Sequence, residues 1–208
     1  IPEFSMRSAC LAAVFSLFAL VPALGAEGRL LLYTSQPNTD AQQTIDAFRA
    51  RHPNVEVSFV RDGTPRLMAK LRAEIQAGAP QPDLLLIADS VTMESLKAEG
   101  RLMAHAGADL SAYPPGIHDP EKFWFSTKLI TTGIVYNAAA TLKPASWADL
   151  TKPEVKGKLV MPSPLNSGAA MIHAATLVGS LPGGWAYYKA LKANEALAGG
   201  ANGDVLRQ

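Results

Sequence analysis

The chain has 208 residues, with 19 basic and 18 acidic side chains, four histidines and a net charge of +1. The charges are scattered and form no basic run, which argues against a nucleic-acid partner. Its one cysteine, Cys10, lies in the N-terminal apolar stretch, so the rest of the chain has no disulfide, no thiolate metal site and no cysteine nucleophile.

Residues 1–5 read as vector-derived, and Met6 as the natural start. Arg7, the apolar run 10–24 and the small pair Ala23 and Gly25 form a cleavable export signal over residues 6–25. The run is too short for a spanning helix, which needs ~20 apolar residues, and Cys10 sits at its wrong end for lipid attachment. Cleavage after Gly25 or Ala26 is expected to release a periplasmic protein.

Behind the signal, strand and helix patterns alternate. Leu30-Leu31-Leu32-Tyr33 reads as a buried parallel strand. Thr39 and Gln42 pattern as a capping box opening a helix with Ile45 and Phe48 on one face. Val55, Val57 and Phe59 alternate as a second strand. Thr64 reads as a cap and Pro65 as the first turn of a helix carrying Leu67, Leu71 and Ile75, which Gly78 stops. Residues 83–88 form a third strand, followed by a helix with Met93 and Leu96 that Gly100 stops. This βαβαβα order predicts a parallel sheet with flanking helices.

Residues 101–122 are irregular, and residues 126–137 read as an extended crossing. A second unit then begins: Ser146 caps a short helix, residues 158–161 form a strand, and the loop 162–168 leads into a helix. Another helix is expected from Trp185 to Leu197, and a further one starts near Asp204. This unit has too few strands to close a sheet, so the reading is a partial second lobe over residues 138–208. The first lobe spans 27–125.

The markers Leu-Leu-Tyr-Thr-Ser at 31–35, Pro82-Asp83-Leu84-Leu85, Gly100-Arg101-Leu102, Thr132-Gly133-Ile134-Val135-Tyr136-Asn137 and Ser146-Trp147-Ala148-Asp149-Leu150 occur in an order that resembles the family-1 extracellular solute-binding proteins of ABC importers, in the ferric-ion and phosphonate-binding branch. The resemblance covers the whole chain behind the signal. It implies a two-lobed α/β fold that captures a small oxyanion-bearing solute in the interlobe cleft. That solute would be ferric iron with a companion anion, a phosphonate or a sugar phosphate. It also implies a monomer that delivers the solute to an inner-membrane permease.

Open parallel sheets bind ligands beyond the carboxyl ends of their strands. The loops there supply Ser35, Gln36, Gly63, Thr64, Asp89, Ser90, Ser163, Ser167, Gly168 and Ala169 as expected ligand contacts, and the resemblance adds Asn202. Ser167 and Gly168 open a helix whose N–H groups and dipole favour an anion. In the ferric-binding members the matching Ser-Gly-Ala cradles the anion, and the residue matching Asp89 holds the metal. Asp89 is therefore a metal ligand only if iron is the cargo; no cofactor is expected.

Two departures count against iron. Pro37 stands where some ferric-binding members have a histidine, and their paired tyrosines would align beyond Gln208. Tyr187 and Tyr188 sit mid-helix and are assigned to core packing. His52, His105, His118 and His173 lack metal-ligand spacing. Arg61 and Lys128 could meet an anionic ligand but read first as surface charges. No hydrolase elbow, zinc-protease motif or phosphate-binding glycine loop is present, so no enzyme is expected. The alternatives are a secreted two-lobed hydrolase or transferase, or a sensor feeding a signalling partner.

Overall fold

The computed structural model describes residues 26–207. The expected export signal lies outside the described residues. Among them no helix is long and apolar enough to cross a membrane.

The first lobe is built on a parallel three-stranded sheet. Strand β1 (Gly28–Thr34) is central, between β2 (Val55–Arg61) and β3 (Leu84–Leu86), with Thr34 level with Arg61 on one side and Leu86 on the other. Leu32 and Tyr33 are buried, as their apolar run requires. Helices α1 (Asn38–Arg51), α2 (Thr64–Gln76) and α3 (Ser90–Ala98) contribute Ala41, Ile45, Leu67, Leu71 and Leu96 to the same core. Gly78 and Gly100 follow α2 and α3 with positive φ, as expected of helix stops.

Strand β3 is shorter than residues 83–88. Asp83 gives its N–H to the Leu31 carbonyl at 2.9 Å, but its Oδ2 takes the Leu31 N–H at 2.8 Å, so a side chain takes one of the two bonds where the ladder would start. At the other end Ala88 gives its N–H to Thr64 Oγ1 at 3.3 Å and leaves the sheet. The Thr39–Gln42 capping box does not form. The α1 cap is Pro37, which has no side-chain bond to give, and Gln42 Nε2 donates instead to Asp46 Oδ1 at 2.8 Å. The α2 cap is Gly63, one residue before Thr64, because the Thr64 hydroxyl is committed to Ala88.

Residues 126–137 form no strand. The pairing next to them is a single antiparallel bridge, His118 with Phe125. Ser146 and Asp149 make a reciprocal capping box on the 3₁₀ turn Trp147–Thr151. The second lobe pairs β4 (Val160–Pro162) in parallel with β5 (Leu197–Gly199). The sequence reading missed β5 and ran a helix through its start. The helix α5 (Ala186–Ala193) ends earlier, and Leu197 gives its N–H to Leu159. With α4 (Gly168–Ser180) and α6 (Asn202–Val205), these elements enclose a core of Leu150, Leu177, Tyr187 and Leu191.

Tyr187 therefore packs as expected, and burial pushes its phenol up to about 12. His173 stacks on Trp147 at 4.4 Å, where burial pushes its imidazole down. His52 follows α1 and lies on Phe48 at 4.6 Å.

Candidate functional site

The carboxyl ends of both sheets open on one cavity of about 330 Å³. Four long helices begin at its wall, α1 behind Pro37, α2 behind Gly63, α3 at Asp89 and Ser90, and α4 at Ser167 and Gly168, and the short α6 begins there at Asn202. The first turn of a helix leaves N–H groups without intrahelical acceptors and carries the positive end of the helix dipole. Four such ends around one space favour a negatively charged occupant.

Most of the expected contacts meet there: Ser35, Gln36, Gly63, Thr64, Asp89, Ser90, Ser167, Gly168, Ala169 and Asn202 all line the cavity. Ser163 does not. Its N–H goes to Gly199 and Gly200 carbonyls at 3.0 and 3.1 Å, and its Oγ accepts from Leu165 at 3.3 Å, so it closes the turn behind the site.

The roles of several residues differ from the sequence reading. The Ser167 hydroxyl donates its proton to Asn202 Oδ1 at 2.8 Å and accepts the Ala170 N–H at 3.2 Å. It caps α4 and ties it to α6, and the first N–H groups of α4 remain as donors toward the cavity. Gly168 lies both in the cavity wall and against the other lobe: a Cβ there would lie 2.7 Å from Thr64 Oγ1 and 3.1 Å from Ala88 Cβ. At Gly63 a Cβ would overlap the Asn166 carbonyl. The two glycines therefore let the lobes meet.

The sequence reading also missed residues. Arg61 and Lys128, read first as surface charges, both line the cavity. Arg61 Nε donates to the Gln36 carbonyl at 3.0 Å, and Lys128 Nζ pairs with Asp40 at 3.2 Å. Arg66 reaches across to Asn166, with Nε and Nη2 at 3.1 and 2.9 Å from Oδ1. Trp124, Phe125, Met93 and Ile130 add apolar surface. Met93 was read only as part of the α3 stripe, and Trp124, Phe125 and Ile130 had no signal beyond lying at or beside the start of the crossing.

Asp89 is 5% exposed. Its Oδ1 accepts the Thr92 N–H at 2.7 Å and caps α3. Its Oδ2 and Gln36 Oε1 are buried without a hydrogen-bond partner among the described residues. No group of three or more His, Cys, Asp or Glu side chains suited to a metal ion occurs among the described residues. Asp89 is the one carboxylate in the cavity wall, and hard Fe(III) wants several oxygen ligands.

A family model described as bacterial extracellular solute-binding protein matches residues 34–207. An uncharacterized protein of Haemophilus influenzae is 27% identical over 186 residues, which is 85% of this chain and 52% of that protein. The periplasmic binding protein AfuA from Actinobacillus pleuropneumoniae, solved with exogenous fructose-6-phosphate bound, superposes with a TM-score of 0.66 at 22% identity, over 85% of this chain and 57% of AfuA. Iron-bound HitA from Pseudomonas aeruginosa gives 0.65 at 21% identity, over 86% of this chain and 58% of HitA. The chain thus spans between half and two thirds of the length of these relatives.

Proposed function

The chain belongs to the bacterial extracellular solute-binding proteins, and from that premise we propose that it is the periplasmic substrate-binding component of an ABC importer. It captures a small oxyanion-bearing solute between its lobes and delivers it to the inner-membrane permease. Residues 27–125 and 138–208 serve as the lobes, residues 126–137 as the crossing, and residues 6–25 as the export signal. The family binds solutes, and no catalytic role is assigned to the cleft.

The observation that carries this reading is the convergence of four helix N-termini on one cavity with Arg61 and Lys128 in its wall. Neutral N–H donors replace the water around an oxyanion, and the two cations in the wall add a positive field around it. The ligands of the structural relatives, fructose-6-phosphate in AfuA and iron in HitA, bracket the same choice. With one carboxylate in its wall, the cleft suits an organic phosphate better than a ferric ion. Calorimetric titration of the native full-length protein with phosphate esters, phosphonates and ferric citrate tests the proposal. We expect micromolar or tighter binding of an organic phosphate or phosphonate. Binding of ferric citrate alone, or of none of these, refutes it.

A further inference from the structure

Two acceptor atoms in the cleft wall, Asp89 Oδ2 and Gln36 Oε1, are closed to solvent and have no partner among the described residues. Native proteins leave few such atoms, because a buried acceptor without a donor loses its hydration for nothing. Asp89 matters most, as a carboxylate on a residue that is 5% exposed. Neither cleft cation answers it, since Lys128 pairs with Asp40 and Arg61 donates to the Gln36 carbonyl.

A fully ionised oxyanion offers only acceptors, and acceptors repel a carboxylate oxygen; a P–OH could donate, but phosphate esters lose it above a second pKa of about 6. Helix starts that draw an anion and an orphan carboxylate oxygen that wants a donor thus make opposite demands on the occupant. One molecule meets both if it carries an oxyanion and an O–H or N–H group on a short carbon frame. The space agrees: about 330 Å³ corresponds to about eleven waters at ~30 Å³ each, more than an inorganic phosphate replaces. Met93, Phe125 and Ile130 give the carbon frame an apolar wall.

We infer that Asp89, together with Gln36, determines specificity by accepting a hydrogen bond from a hydroxyl or ammonium group of a ligand that is also a phosphate ester or phosphonate. This rests on the oxyanion reading above and adds which oxyanions are chosen. The bond to a carboxylate makes a donor-bearing ester bind at least about tenfold more tightly than a donorless one of similar size.

The test is calorimetric titration of the native full-length protein, at about pH 8.5 where phosphate monoesters are fully ionised, with ethyl phosphate, ethanolamine phosphate, glycerol 3-phosphate and a hexose 6-phosphate. Asp89→Asn keeps an oxygen for the Thr92 N–H and exchanges Oδ2 for an NH₂ group. Asp89→Ser keeps a capping hydroxyl and removes Oδ2, so it gives the same information if the asparagine variant folds poorly by circular dichroism. We expect at least one donor-bearing ester to bind about tenfold more tightly than ethyl phosphate, and the variant to erase that margin. Preference for ethanolamine phosphate identifies an ammonium, and preference for the polyol esters a hydroxyl. The inference fails if ethyl phosphate binds as tightly as every other ester, or if the variant weakens all of them equally. If none of the four binds and 2-aminoethylphosphonate does not bind either, the oxyanion reading fails and this inference with it.

Discussion

Lys97 holds two carboxylates with one ammonium, 2.7 Å from Asp119 Oδ1 and 2.5 Å from Glu121 Oε2. Asp119 is 2% exposed and also accepts the Phe123 N–H at 3.0 Å, so this cluster fastens the 118–125 turn to α3. Burial alone would raise the Asp119 carboxyl; the Lys97 ammonium and the Phe123 N–H outweigh it and hold the group below its ordinary range. A depressed carboxyl contributes stability that is fully present above its unfolded value of about 3.9 and is lost as pH falls through the lower folded value. In Lys97→Met the raising effect of burial loses its main opponent, so ionising Asp119 at neutral pH works against the fold. We expect the variant's Tm to fall most at pH 7 and the gap to the wild type to shrink as pH drops below about 4. Scanning calorimetry across that range checks it. A gap that stays constant with pH would assign the role of Lys97 to its position 5.2 Å from the Phe123 ring centroid.

Helices α1 to α4 bring their first turns to the cleft and bury their apolar faces away from it. The turn before α4 meets the start of α2 through Arg66 and Asn166, whose side chains are bonded although 100 residues separate them. Arg66 is exposed and Asn166 lies in the cavity wall, so the bond contributes little to folding and bears mainly on how the lobes approach. Arg66→Ala should leave Tm nearly unchanged and speed ligand release by roughly 2- to 10-fold, the worth of about 0.5–1.5 kcal/mol. Stopped-flow displacement measures this. An unchanged off-rate would mean that the contact holds nothing in the bound state. Ser167 acts at the same level, joining the start of α4 to Asn202 while its hydroxyl is spent on both. This element-scale duty was only half legible: Ser-Gly before a helix announces a cap, but nothing local says where the capping hydroxyl sends its own proton.

Both lobes must meet for the cavity to exist, and Gly168 stands where they touch. A valine there places its Cβ within 2.7 Å of Thr64 Oγ1 and 3.0 Å of Thr64 Cβ, both fully buried, and adds two methyl groups beyond. Overpacking of this kind costs about 1–3 kcal/mol. The least costly relief is to part the lobes, so Gly168→Val should weaken ligand binding about tenfold or more and enlarge the radius of gyration with ligand present. Small-angle scattering and calorimetry that both match the wild type would refute the contact. Much of the first lobe was legible in the sequence. Apolar runs at 30–33 and 84–86, helical stripes such as Leu67 with Leu71, and glycines at 78 and 100 dictate strands, helices and stops, because burial and backbone freedom act on neighbours in the chain. The same order puts the strand-end loops on the ligand side, which is why most expected contacts do line the cavity. Tertiary structure alone decided that Ser163 turns away, that Arg61 and Lys128 turn in, and that Gly168 meets Thr64 across the lobes. It also decided that β5 pairs with β4 and that Asp89 keeps one oxygen unanswered. Each of these depends on a partner tens of residues distant, and a local pattern carries no record of which distant group will arrive.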